Sequence, residues 1–279
     1  MTLAENSYGK SGIRVMKVSR DGEHHVIRDL TVAVALEGDF VAAHADGDNS
    51  AVLPTDTMKN TVYAKALELT LTDIEAFALA LAQHFLGASR SASRARVTIE
   101  EHGWRRLEIG GSAHDHAFER GSSERRIARV TADRAGHEEV IAGIEELVIL
   151  KSAHSAFSGY PRDRYTTLRE TEDRILATSM TAHWTYEGTG TDYSGVFSMV
   201  RNALLETFAG HDSKSVQHTL YAMGEAALAR ASAIREITIT MPNKHHLLMD
   251  MSALGLENRN EIFVPTLEPY GVIVATMRR

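Results

Sequence analysis

Four short polar stretches carry side chains suited to chemistry. Residues 52–60, VLPTDTMKN, gather Thr55, Asp56, Thr57, Lys59 and Asn60 directly after a proline. A hydroxyl, a carboxylate and an ammonium this close can pass a proton between them, and the same residues also suit the start of a helix. The triplet SVQ at 215–217 opens a second helix-patterned run. Its first backbone amides and the positive end of the dipole form a seat for an anion. Gln217 adds a planar amide that donates and accepts at once, while local grounds alone favour Ser215 as an ordinary N-cap. Within DRYTTLRETEDRIL (163–176), Arg174 has the flat fork that grips a planar anion in bidentate fashion, although such an arginine also serves as a surface ion-pair partner. In MPNKHH (241–246), Asn243 and His245 stand two apart and on extended backbone face one way.

Other chemistries find little support. The chain has 14 histidines, and HDH at 114–116 would put two imidazoles on one strand face. No His-Glu-x-x-His or comparable spacing follows, so no metal site is expected. Neither a nucleophile elbow, a phosphate loop nor a dinucleotide fingerprint occurs, and GTGTDYSG (188–195) reads as a plain connection. With no cysteine, thiolate nucleophiles and cysteine-held metals are excluded. A net charge of −7 argues against a nucleic-acid partner, leaving RRL (105–107) and ERRIAR (124–129) as solvated strand surface. No segment approaches the roughly 20 apolar residues that span a bilayer, and the first ten residues lack a signal-peptide core, so no membrane partner is expected.

The elements that must position these residues follow from periodicity. IRVMKVSR (13–20) and HVIRDLTVAVALEG (25–38) alternate as half-buried strands. A helix is predicted after Pro54 with Thr55 as a possible N-cap, and another after Thr72 and Glu75, which are spaced as a capping box; Gly87 closes it. Strands are predicted at 94–109, 126–134 and 138–153, then at 175–188. Helices at 193–211 and 215–234 come next, then strands at 235–242, 245–252 and 269–277. The order strand, strand, helix, helix, strand, strand thus occurs twice. Segregated runs of this kind imply an α+β fold with helices on one face of an antiparallel sheet, divided at residues 1–137 and 138–279.

Five motifs in order tie the stretches together: YGK (8–10), DNSAVLPTDTMKNTVY (48–63), SAFSGYPRDRYTTLRETEDRIL (155–176), SVQHTLY (215–221) and PNKHH (242–246). Over nearly the whole chain this pattern resembles the urate oxidase (uricase) family. The resemblance implies two tandem tunnelling-fold (T-fold) domains that assemble, as a homotetramer, into a barrel with a central tunnel and active sites at subunit interfaces. It further implies that Lys10 and Thr55 form a catalytic dyad with His245 in the proton relay and Asp56 beside Thr55. Phe157 would stack on the purine, Arg174 and Gln217 would grip it, Val216 would offer its amide, Leu168 would wall the pocket and Asn243 would lie over the ring where dioxygen or water docks. The implied reaction needs no cofactor and no metal: urate, dioxygen and water yield 5-hydroxyisourate and hydrogen peroxide. The chain ends in ATMRR rather than a peroxisomal signal, so a cytoplasmic enzyme is expected. Another T-fold enzyme acting on a purine or pterin, or a non-catalytic urate-binding protein, would share much of this pattern.

Overall fold

The computed structural model describes residues 2–266 and 268–279. In chain order the elements are β1 (Tyr8–Asp21), β2 (His24–Gly38), α1 (Val41–Ala45), α2 (Thr55–Glu68), α3 (Ile74–Ala88), β3 (Ala92–Ile109) and β4 (Ser112–Asp133). They continue with β5 (Glu138–Lys151), β6 (Leu176–Tyr186), α4 (Tyr193–Gly210), α5 (Val216–Arg230), β7 (Ile234–Asn243), β8 (His246–Leu248), β9 (Phe263–Pro265) and β10 (Gly271–Arg278). The twofold strand–strand–helix–helix–strand–strand order is therefore present. By contacts the chain forms two compact units, Met1–Gly143 with Trp184–Phe197, and Ile144–His183 with Ser198–Arg279.

In the first unit β1, β2, β3 and β4 are antiparallel neighbours. Leu30, Val32, Val34 and Leu36 alternate along β2 and are almost wholly buried, which places one face of the sheet against the helices. On that face α2 packs on β1, and α3 packs on β3 and β4. A bulge interrupts β1, so that Lys10 pairs with Val34 but Ile13 with Val32. Gly12, at φ +69°, takes up the extra length. Val32 and Val34 share a face, and the bulge thereby puts Lys10 and Ile13 on one side of the sheet although they are three residues apart. In the second unit β7 and β10 pair antiparallel from Asn243↔Gly271 to Glu236↔Arg278, with α5 against both. Gly224 of α5 lies under the Met277 side chain, whose methyl would have to swing aside for any Cβ there.

Each long helix ends on a cation supplied by a strand or by the residue directly after one. Lys17 Nζ donates to Ala66 O (2.8 Å) and Leu69 O (2.6 Å) at the end of α2. Arg134 donates to Leu86 O (2.8 Å), Ser89 O (2.5 Å) and Ala92 O (2.5 Å) beyond α3. Lys151 Nζ donates to His211 O (2.6 Å) beyond α4, and Arg279 to Leu228 O and to Ala231 O (3.1 Å) beyond α5. Orphan carbonyls and the negative dipole end are satisfied together in every case.

Several local expectations are corrected. Pro54, not Thr55, is the N-cap of α2, and Thr55 is its first helical residue. The helix after Thr72 starts at Ile74 with Asp73 as N-cap and no side-chain cap. This leaves Glu75 one position short for a capping box, and its carboxylate turns inward to Arg126 (2.7 Å) with no exposure to solvent. The helix runs past Gly87 to Ala88. The strand predicted at 126–134 begins at Ser112, and the one at 245–252 shrinks to the three residues of β8. The basic clusters are partly neutralised: Arg105 pairs with Glu119, and Arg125 with Glu100 (3.4 Å).

Candidate active site

A cavity of about 900 Å³ in the second unit is lined by Phe157, Leu168, Arg174, Val216, Gln217, Asn243 and His245 among others. Two connections and two element ends build it. Phe157 and Thr171 form an antiparallel bridge, Phe157 N–H donating to Thr171 O (2.8 Å) and Thr171 N–H to Phe157 O (3.1 Å). The same segment is held again where Ser155 N–H donates to Asp173 Oδ1 (3.2 Å) and Ala156 N–H to Ser213 O (2.8 Å). Arg174 directly follows Asp173, so one set of backbone bonds fixes the aromatic ring and the guanidinium against each other. The Arg174 Cζ lies 5.1 Å from the centroid of the Phe157 ring, in cation–π range.

Electrostatics single out Arg174. Its Nε is buried and has no hydrogen-bond partner, and burial holds the guanidinium below its ordinary pKa. A buried cation with an unused donor is costly unless something negative meets it. An anion in the cavity would supply what the fold leaves out.

At the other wall, Ser215 is the N-cap of α5 and its side chain accepts from His218 N–H (3.1 Å). The ordinary cap reading is thus correct, yet it leaves the seat intact: Val216 and Gln217 are the first two helical residues, whose amides have no partner within the helix. Val216 is buried, while Gln217 is exposed toward the cavity that it lines. Asn243 ends β7 opposite Gly271. His245 is held through its backbone carbonyl, which accepts from Thr266 N–H (2.9 Å), while the neighbouring Lys244 N–H donates to Ala177 O (2.9 Å).

Lys10, Thr55 and Asp56 belong to the first unit and do not line this cavity. Thr55 and Asp56 open α2, and Lys10, on β1, is near enough to act on the Asp56 charge. Asp56 accepts from Lys59 Nζ (2.5 Å) and Asn60 Nδ2 (3.0 Å). Lys59 first, and Lys10 more weakly, hold its carboxyl below the usual range. Among the described residues no group of histidines, carboxylates or cysteines has the arrangement to hold a metal ion. The HDH pair sits together on β4 with ring centroids 4.7 Å apart, and nothing further joins it as a ligand set.

The sequence reading missed Tyr160. Its ring stacks on Phe157 (centroids 4.9 Å, planes 17° apart), and its hydroxyl donates to Leu168 O (2.7 Å). Tyr160 thereby ties the aromatic platform to the wall residue Leu168. The sequence signal was a tyrosine three residues after Phe157, too common a spacing to be read without the bridge that folds the loop back.

The antiparallel α+β chain thus brings an arginine, an amide and an aromatic ring around one cavity, groups whose chemistry suits a flat, anionic heterocycle. The sequence profile of the uricase family matches residues 6–131 and 140–274. A uricase from Arthrobacter globiformis is 44% identical over 279 residues, spanning 100% of this chain and 90% of the relative, and one from Dictyostelium discoideum is 37% identical, spanning 100% and 98%. The crystal structure of uricase from Arthrobacter globiformis superposes with a TM-score of 0.95 at 43% identity, covering 100% of this chain and 95% of that one. The chain belongs to the uricase family and folds as two tandem T-fold domains.

Proposed function

We propose that this enzyme oxidises urate with dioxygen and water, releasing 5-hydroxyisourate and hydrogen peroxide. The observation that carries the binding half is the Arg174–Phe157 pair: a half-buried guanidinium whose buried Nε has no partner, held beside an aromatic ring in the cavity that Gln217 and the amide end of α5 also line. A planar urate anion meets each of these groups with the matching part of its surface, ring face on Phe157 and polar edge on Arg174 and Gln217. Leu168 closes the side, the Val216 amide adds a donor, and Asn243 lies where dioxygen or water docks.

The catalytic half is assigned to Lys10, Thr55 and His245. Urate oxidation loses two electrons to dioxygen, water adds to the ring, and protons must leave urate and reach the peroxide. In this reading Thr55 relays protons between the Lys10 amine and a water, which neither neighbour would move alone. Asp56 keeps its negative charge beside them through Lys59. Because Lys10, Thr55 and Asp56 do not line the cavity of Phe157 and Arg174, the site is proposed to form in a homotetramer, with these three from one protomer and the cavity from its neighbour.

The test is loss of urate absorbance in air with hydrogen peroxide followed in parallel, after dialysis against a chelator. Urate loss matched by peroxide and undiminished by the chelator is the expected result. Loss abolished by the chelator would replace this reading by a metal-dependent T-fold enzyme, and binding without turnover by a urate-binding protein.

A further inference from the structure

We infer that Tyr8 is a positioning residue for the Lys10–Thr55 pair, its phenol clamping the segment before α2 to the strand that carries Lys10. The inference rests on the role given to Lys10 and Thr55 above. β1 begins at Tyr8, which pairs with Leu36, two positions before Lys10 pairs with Val34. The two side chains therefore leave the strand on one face. This end of β1 is seated tightly, since a Cβ on Gly9 would fall 1.9 Å from Val34 O. The Tyr8 ring meets the buried Phe40 edge to face, with centroids 4.8 Å apart.

The phenol then reaches across to the other half of the pair. Leu53 N–H donates to Tyr8 Oη at 2.9 Å. Only Pro54, at φ −56°, separates Leu53 from Thr55, the first helical residue of α2. A proline has little freedom in φ, so fixing Leu53 restricts how the Thr55 backbone enters α2. Burial pushes the phenol's pKa up, with the Leu53 amide opposing. The group is neutral at working pH and its oxygen is free to accept. One side chain thus sets how far the strand bearing Lys10 stands from the helix bearing Thr55. It touches neither substrate nor the reacting atoms in this arrangement.

Tyr8→Phe in the assembled enzyme removes only the acceptor. The expected result is a fall in kcat of about tenfold, in keeping with the sensitivity of proton transfer to small misplacements, with urate KM changed less than about twofold because the grip lies elsewhere. In a Lys10→Met background the same substitution should cause no further loss, because a residue that acts through Lys10 has nothing left to position. Phe40→Leu, which removes the ring that seats Tyr8, should lower kcat in the same direction. An unchanged kcat in Tyr8→Phe, or an equal proportional loss with and without Lys10, overturns the inference. If Lys10→Met itself keeps full turnover, the dyad reading falls and this one with it. If Lys10→Met is inactive while Tyr8→Phe is not, only the role of Tyr8 falls.

Discussion

Arg174 illustrates how much a single residue can carry. Its guanidinium is desolvated, lies against Phe157 and keeps one buried donor unpaired. Truncation to alanine should weaken binding of urate, and of purine-dione inhibitors such as 8-azaxanthine, by on the order of 2–5 kcal/mol. Isothermal titration would measure this, and an unchanged affinity would mean that the ring is held by other groups. Lys10 is expected to behave in the opposite way. Lys10→Met should leave urate binding nearly intact while turnover falls by orders of magnitude, the signature of a group needed only in the transition state. A single-turnover assay beside equilibrium binding separates the two quantities. The residue types at these positions were legible in the sequence, since a fork, an amide and an amine have fixed chemistries. Their surroundings were not. Nothing in the string SGYPRDRY shows that Tyr160 folds back to stack on Phe157, because that contact depends on a bridge between Phe157 and Thr171.

At the level of elements, the cations that close the helices are set out alike in the two repeats. The first strand of each repeat caps its first helix (Lys17 on α2, Lys151 on α4), and the end of the last strand caps the second (Arg134 on α3, Arg279 on α5). Replacing Lys17 by Met would leave the carbonyls of Ala66 and Leu69 without their charged donor, at a cost of about 1.5–3 kcal/mol. Chemical denaturation should register that loss, with faster hydrogen exchange confined to the last turn of α2. Glu75 supplies a pH-dependent counterpart near the start of α3. Burial pushes its carboxyl up, and Arg126 offsets this only in part. A carboxyl whose pKa is higher in the folded state stabilises the fold below its ordinary value and loses that contribution as pH rises through the raised one. Whatever its absolute stability, Glu75→Gln should therefore gain on the wild type as pH is taken from about 5 to about 8. Thermal midpoints measured in parallel would check the slope, and a flat difference would place the Glu75 pKa at its ordinary value. The sequence spacing had suggested a capping box here; the helix starts one residue later and turns the glutamate into the interior instead.

For the whole molecule, the decisive question is where the two halves of the site meet. Lys10 and Thr55 lie in one compact unit and the cavity of Phe157 and Arg174 in the other. If sites form between protomers, Lys10→Met and Arg174→Ala chains, each impaired alone at low urate, should regain activity when mixed into hybrid tetramers, some of whose sites are free of both substitutions. Size measurement by ultracentrifugation gives the assembly, and absence of complementation would place each complete site within one chain.

By itself the sequence determined the class and order of the elements, because alternation and helical spacing repeat twice along the chain. It also carried the residue types proposed for the site, because donor, acceptor and charge type belong to the side chain itself. Only the tertiary structure decided which residues face each other. Strict alternation would put Lys10 and Ile13 on opposite faces of β1, and the bulge at Gly12 puts them on the same one. That change of face depends on how β1 pairs with β2, a long-range choice that no local pattern encodes.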